Sequence, residues 1–287
     1  MKNYSLLSHR KQEPEKAILY IVGTPIGNLD DISPRAINIL KNVSFIACED
    51  TRQTKKIMSK FSISNKLISF NKDNSFGKTP KIIEDLKEGK SIALVSDAGM
   101  PGICDPGEDV IKAVKSEGFD VICIPGACAA ITALVSSGIP SSRFTFEGFL
   151  PKKKSEREKI LLEISESEKT TIIYESPHRL KSLVQDLYKL CGGEREIEVT
   201  RELTKKFEEH IGNNLENVIS FFEEKEVIGE ITIIVKGISK KRESEINFSE
   251  LKKELNDLIK AGLSLSSASK YLAKKHGLKK SLIYNLK

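Results

Sequence analysis

No apolar run in the sequence approaches the ~20 residues that cross a bilayer, and the opening MKNYSLLSHRKQEPEK contains no signal-peptide core. These absences argue against a membrane partner and predict a soluble, cytoplasmic protein. Cysteine is sparse: Cys48, Cys104, Cys123, Cys128 and Cys191 form no CxxC pair and fall mostly in or beside apolar segments. They are predicted as reduced core thiols, neither metal ligands nor a disulfide framework. His9, His178, His210 and His276 are scattered, so no metal is expected. The common phosphate signatures are missing as well. There is no GxxxxGK[ST], and neither GTPIGN nor DAGMPG is a GxGxxG followed by a ribose-binding acid.

What is present centres on residues 96–107, SDAGMPGICDPG. They follow the β-branched run Ile92–Val95, which reads as a buried parallel strand, and precede a helical pattern over 106–115. Asp105-Pro106-Gly107-Glu108 reads as a helix start, with Asp105 as the cap. A second bare loop, Gly23 to Leu29, follows the run Ile18–Val22. Both loops alternate glycine with proline, which suits a backbone-built site for a largely uncharged ligand such as a nucleoside. Open α/β sheets bind ligands outside the carboxyl ends of their strands, where these loops fall.

The 287 residues are enough for two or three domains with a substantial core. Strand and helix patterns alternate through 43–47, 50–61, 67–70, a helix opened by Thr79-Pro80, 92–95, 106–115, 121–124 and an Ala-rich helix after Pro125-Gly126. This alternation predicts a mostly parallel sheet covered on both faces. The small residues of GACAAITA permit close approach at that helix's entry, either of a flat ligand edge or of a packed sheet. A strand-like run at 144–150 and the charged loop 151–155 read as a crossing to a second α/β domain, with strands at 171–174, 197–200 and 231–235. The predicted divisions are a disordered leader 1–16, α/β domains 17–145 and 146–238, and a helical module 239–287.

The net charge of +6 is uneven. Residues 239–287 carry twelve Lys or Arg against five Asp or Glu, which leaves −1 for the rest. Within this module Ala273, Gly277, Leu278, Ile283 and Leu286 have helix-turn-helix spacing, with Lys279, Lys280 and Tyr284 on the second helix. A basic module on a near-neutral body points to a polyanion, most economically nucleic acid.

Three clusters set acids beside a cation at strand ends: ACEDTR (47–52), YESPHR (174–179) and RELTKK (201–206). With them, VGTPIGNLDDIS, LVSDAGMPGICDPG, IPGACAAITAL and FEGFLP occur in a fixed order. Together these motifs resemble the ribosomal RNA small subunit methyltransferase I family, ribose 2′-O-methyltransferases of the tetrapyrrole methylase fold. The resemblance covers the chain from about Ala17 onward. It implies S-adenosylmethionine bound in a cleft between two α/β domains. It further implies methyl transfer to a cytidine ribose (cytidine-1402) of 16S rRNA in the small ribosomal subunit, and a homodimer. Carried over by motif, the methyl-donor site comprises Pro25, Asp97, Gly99, Met100, Ile103, Cys128, Ala129 and Ala130. The chemistry of a poorly acidic ribose hydroxyl calls for a base or a cation. Glu49, Asp50, Glu175 and Arg52 are the catalytic candidates; Lys152, Lys153, Lys154, Arg179, Lys279 and Lys280 are the RNA-binding ones. Two positions depart from the family's habit: Met100 where threonine is commoner, and Ala127 where proline is. The rival readings are a tetrapyrrole methyltransferase of the same fold and a ligand-sensing DNA-binding regulator.

Overall fold

The structure, a computed structural model, describes residues 13–223, 225–238, 248–276, 278 and 280–287. Most of the predicted leader, the linker at 239–247, the turn residue Gly277 and Lys279 lie outside the described residues. Two compact units are present, 1–237 and 238–287.

The larger unit holds two five-stranded sheets. The first comprises β1 (Ile18–Val22), β2 (Phe45–Cys48), β3 (Leu67–Ser69), β4 (Ile92–Val95) and β5 (Asp120–Ile124), in the order β3-β2-β4-β1-β5. All its pairings are parallel, with Leu19 opposite Ile92 and Ile21 opposite Cys123. Side chains alternate across a strand, so β1 feeds two cores. Ile18, Tyr20 and Val22 pack with α1 (Pro34–Asn42) and α2 (Thr51–Lys60), while Leu19 and Ile21 pack with α3 (Ser75–Lys87) and α4 (Glu108–Ser116). Ser33 caps α1 and Asp50 caps α2. Residues 13–16 are tied down: Arg35 donates to both Glu13 oxygens at 2.6 and 2.7 Å.

Two helix starts differ from the sequence expectation. Helix α3 begins before Thr79-Pro80, because Asn71 and Asn74 each accept the other's backbone N–H and build an earlier start, leaving Pro80 inside an exposed early turn. Helix α4 begins at Glu108 with Gly107 at the cap position and no side-chain cap, so Asp105 stands clear of the helix.

The second sheet comprises β6 (Phe144–Phe149), β7 (Thr170–Glu175), β8 (Ile197–Arg201), β9 (Glu209–Gly212) and β10 (Ile231–Val235), in the order β6-β7-β10-β8-β9. Only β6 and β7 run parallel; the other pairings are antiparallel. One face, with Ile173, Val199 and Ile233, is covered by α6 (Lys154–Glu166), α7 (Pro177–Cys191) and α8 (Leu215–Glu223). The other face is covered by the first half itself. Ile172 and Ile234 pack on Ala130, Ala133 and Leu134 of α5 (Ala129–Ser136). The small residues of α5 are there to bring helix and sheet together.

In the smaller unit α9 (Phe248–Lys260), α10 (Leu265–His276) and α11 (Lys280–Tyr284) enclose Leu251, Leu255, Ala268, Leu272 and Ile283. Ala273, Leu278 and Leu286 pack at its edge.

All five cysteines are free thiols, but only Cys48 is buried. Cys123 is exposed on edge strand β5 and Cys104 in a loop, so the expectation of core thiols fails for them.

Candidate functional site

Three loops at the carboxyl end of the parallel sheet meet by main chain. Thr24 and Gly99 exchange backbone hydrogen bonds of 2.8 and 3.1 Å, joining the loop after β1 to the loop after β4. The loop after β5 joins them through glycine. A Cβ on Gly126 would lie 2.6 Å from the Cα of Gly23, and one on Gly23 would lie 2.6 Å from the Met100 sulfur. Only bare backbone fits this junction.

The facing wall comes from the second half. Tyr174, near the end of β7, accepts the Ala130 N–H at 3.0 Å and stacks edge-on with Phe146 and Phe149 at 5.0 and 5.7 Å. Glu175 follows and is 2 % exposed. Its Oε1 accepts the Ser176 N–H at 2.7 Å, and Oε2 lies 3.1 Å from an Arg179 nitrogen. That approach has poor hydrogen-bond geometry, and Oε2 is left buried without a hydrogen-bond partner. The same Arg179 nitrogen donates to the Leu150 carbonyl at 2.9 Å. Behind this wall the halves dock through Asn28, whose N–H donates to the Thr204 hydroxyl at 3.0 Å.

Between the walls lies a cavity of about 360 Å³, within the range of small-ligand sites. The first half contributes Ile26, Gly99, Met100, Ile103, Asp105 and Cys128; the second contributes Phe149, Tyr174, Glu175, Leu203 and Glu230. Three carboxylates line it, and no Lys, Arg or His does. Two of these carboxylates have a cation behind the lining: Glu175 lies 3.1 Å from an Arg179 nitrogen and Glu230 pairs with Lys205 at 3.0 Å, so Asp105 contributes the remaining charge to a largely apolar surface.

A group of acids stands at the first half's rim. Asp97 accepts the Asp50 N–H at 2.9 Å; partial burial and the Asp50 charge push its carboxyl up, against that hydrogen bond. Glu49 is likewise pushed up, by partial burial and by Asp97. Asp50 behaves oppositely. Chelated by Arg52 at 2.6–3.1 Å, it is held at about 2. Burial and the Glu49 charge raise Asp105 to about 6, against a hydrogen bond from Ser96. Asp105 was read from sequence as a helix cap; the missed signal is that two residues separate it from the observed helix start.

The predicted site residues therefore divide. Gly99, Met100, Ile103, Cys128, Ala129 and Glu175 line the cavity. Pro25 and Ala130 are buried beneath it, and Asp97 sits beside it. Glu49, Asp50 and Arg52 line a separate depression with Ser69, Asn71 and Lys72. Arg179 sets one guanidinium nitrogen against the Leu150 carbonyl and Glu175, and its side chain is 25 % exposed. Lys152, Lys153 and Lys154 are exposed directly after the cavity wall, although Lys153 pairs with Glu156 at 2.8 Å. In the separate helical unit Lys280 donates to Ser266 at 2.8 Å. Among the described residues no set of three His, Cys, Asp or Glu is placed to hold a metal ion, and no helix is long and apolar enough to cross a membrane.

A parallel sheet and a mixed sheet sharing a cleft at their loop ends define a methylase of the tetrapyrrole class. Residues 18–219 match the family Tetrapyrrole (Corrin/Porphyrin) Methylases. A crystal structure of uroporphyrin-III C-methyltransferase from Thermus thermophilus, complexed with S-adenosyl homocysteine, is similar in fold. Its TM-score is 0.55 at 16 % identity, covering 76 % of this chain and 96 % of that one. Sequence relatives are more specific. Ribosomal RNA small subunit methyltransferase I of Bacillus subtilis is 48 % identical over 78 % of this chain and 76 % of its own. The protein of that name from Vibrio cholerae is 43 % identical over 97 % of both. The chain belongs to the ribosomal RNA small subunit methyltransferase I family of tetrapyrrole methylases.

Proposed function

We propose that the protein transfers a methyl group from S-adenosylmethionine to the ribose 2′-hydroxyl of cytidine-1402 in the 16S rRNA of the small ribosomal subunit. The observation that carries the reading is the largely apolar cavity at the loop ends of the two sheets, with the Asp105 carboxylate in its lining, in a chain whose relatives of matching length bear the rRNA methyltransferase name. A sulfonium donor suits the Asp105 carboxylate in the lining by its charge. Its apolar parts fit the surfaces of Ile26, Met100, Ile103 and Leu203, and its hydrogen-bond donors suit the orphaned Glu175 Oε2.

When bound, the donor supplies a methyl already activated by its sulfonium charge. The protein aligns the acceptor and manages one proton. Main chain around Thr24, Gly99 and Cys128 fixes the position of the donor. Glu175, oriented by Ser176 and Arg179, accepts a hydrogen bond from it. Arg52, with its side chain 87 % exposed, and Lys152 to Lys154 offer charge to RNA phosphates. The basic helical module adds a second phosphate-binding surface.

The test is transfer of tritiated methyl from S-adenosylmethionine to small ribosomal subunits lacking the modification, followed by nuclease digestion and mass analysis. A 2′-O-methylcytidine product is expected. No incorporation despite intact donor binding would overturn the rRNA assignment and direct the search to tetrapyrroles. Deleting residues 239–287 should weaken RNA binding about tenfold or more and flatten its salt dependence, with donor binding unchanged. Equal RNA affinity after the deletion would remove the module from the reading.

A further inference from the structure

We propose that Asp105 is the group that takes the proton from the ribose hydroxyl, an inference that rests on the methyl-transfer reading above. Four features of its surroundings support this role.

Asp105 lines the cavity, whereas Asp50 and Glu49 open onto a different depression and the Asp97 carboxylate is engaged by the Asp50 N–H. Its carboxylate is also released from structural duty, since Gly107 stands at the cap position of α4. The loop that presents it is fixed on both sides. Cys104 is held at φ 64°, a left-handed conformation that is strained for a non-glycine residue. The Cys104 sulfur packs over Gly148, within 2.8 Å of where a Cβ there would stand, and Gly148 itself is at φ 58°. Finally, the charges facing Asp105 are of its own sign. Glu49 reaches it from the loop after β2 and Asp97 from its own loop, with the Ser96 hydroxyl as its polar partner. Glu175 and Glu230 share the cavity but are paired behind it, Glu175 with Arg179 at 3.1 Å and Glu230 with Lys205 at 3.0 Å. A carboxyl so placed, near 6, is a stronger proton acceptor than an ordinary carboxylate and is still largely ionised at neutral pH.

The step balances. The ribose 2′-oxygen forms a bond to the methyl carbon as the carbon–sulfur bond breaks, its electron pair stays on sulfur as a neutral thioether, and the hydroxyl proton passes to the Asp105 carboxylate. The proton leaves to solvent through the exposed side of the loop. Because the donor is cationic, its arrival also draws any proton off Asp105 beforehand, and the neutral-sulfur product does so less.

Two measurements test this. Calorimetric titrations of wild type at pH 6, in buffers of different ionisation enthalpy, should show more proton release on binding S-adenosylmethionine than on binding S-adenosylhomocysteine. Asp105→Asn should abolish that difference while retaining S-adenosylhomocysteine affinity. With ribosomal subunits as acceptor, the wild-type kcat/KM should fall below about pH 6. The variant should lose that acid limb together with about 10²-fold in kcat. Equal proton release with both ligands in wild type, or a variant within threefold of wild-type kcat with its acid limb in place, would overturn the proposal. Wild-type proton release without methyl transfer to the subunit would sink the rRNA reading alone, since the calorimetry uses no RNA.

Discussion

The two walls of the cavity hold their ligand by different means. The first half presents main chain and small or flexible side chains, packed so closely that Gly23 and Gly126 touch through backbone atoms. The second presents large or charged side chains: Phe149, Tyr174, Glu175 and Leu203. The first wall recognises by shape and peptide groups and adds one charged side chain, Asp105; the second recognises by its large and charged side chains. Parallel strands buried on both faces leave their loops to do the binding, whereas the mixed sheet turns the end of β7 into the cleft and places Tyr174 and Glu175 there directly. Specificity should therefore be alterable on the second wall and only destroyable on the first.

The largest effect that distinguishes them is expected at Gly126. The Gly126→Ala Cβ has no space against the Gly23 backbone, so the body should lose roughly 2–3 kcal/mol and melt roughly 5–10 °C lower, with donor binding impaired. An unchanged melting temperature would show that the two loops yield. On the facing wall Glu175→Gln should leave the melting temperature nearly unaltered and weaken S-adenosylmethionine binding about tenfold by calorimetry, ~1.4 kcal/mol. Full retention of affinity would remove Glu175 from donor recognition.

Asp105 yields a smaller effect of defined sign. Its carboxyl is raised in the folded chain, so the native state holds the proton more tightly than the unfolded state. Stability then falls as pH rises from the unfolded value near 4 to about 6. Asp105→Asn, which never ionises, should be more stable than wild type at pH 7.5 by about 1 kcal/mol, allowing for solvent screening of a partly exposed group, and equal to it at pH 3.5. Urea titrations at both values would show this, and a variant less stable at pH 7.5 would refute it. The smallest effect is expected at Met100. Met100→Thr should leave donor affinity within about threefold, under ~0.7 kcal/mol, because the first wall acts through main chain.

Much of this contrast is legible in the sequence. Strands β1 and β4 are marked from end to end by continuous apolar runs, because parallel strands buried on both faces need no polar alternation. The donor loops stand out by their glycine and proline. What escapes has physical causes. Edge strand β9 buries a single residue, Ile211, so it has no period to detect. The start of α3 depends on two asparagines exchanging hydrogen bonds, a partnership that composition does not reveal beside so strong a breaker as Pro80. The role of Asp105 is hidden by a good local capping pattern that the fold does not use. The composition of the Ala-rich helix α5 leaves packing and ligand approach open, and the structure uses it for both: Ala130 and Ala133 pack with Ile172 and Ile234, while Cys128 and Ala129 at its entry line the cavity.

The junction of Gly23 with Gly126 has a bearing on how such proteins diverge. A wall that speaks through peptide groups is deaf to most changes of side chain, so substitutions at positions 98, 100, 127 and 129 should alter little of what the ligand meets. Novelty in this architecture must come from the opposite bank, where one replacement rewrites the chemistry and leaves the foundation standing.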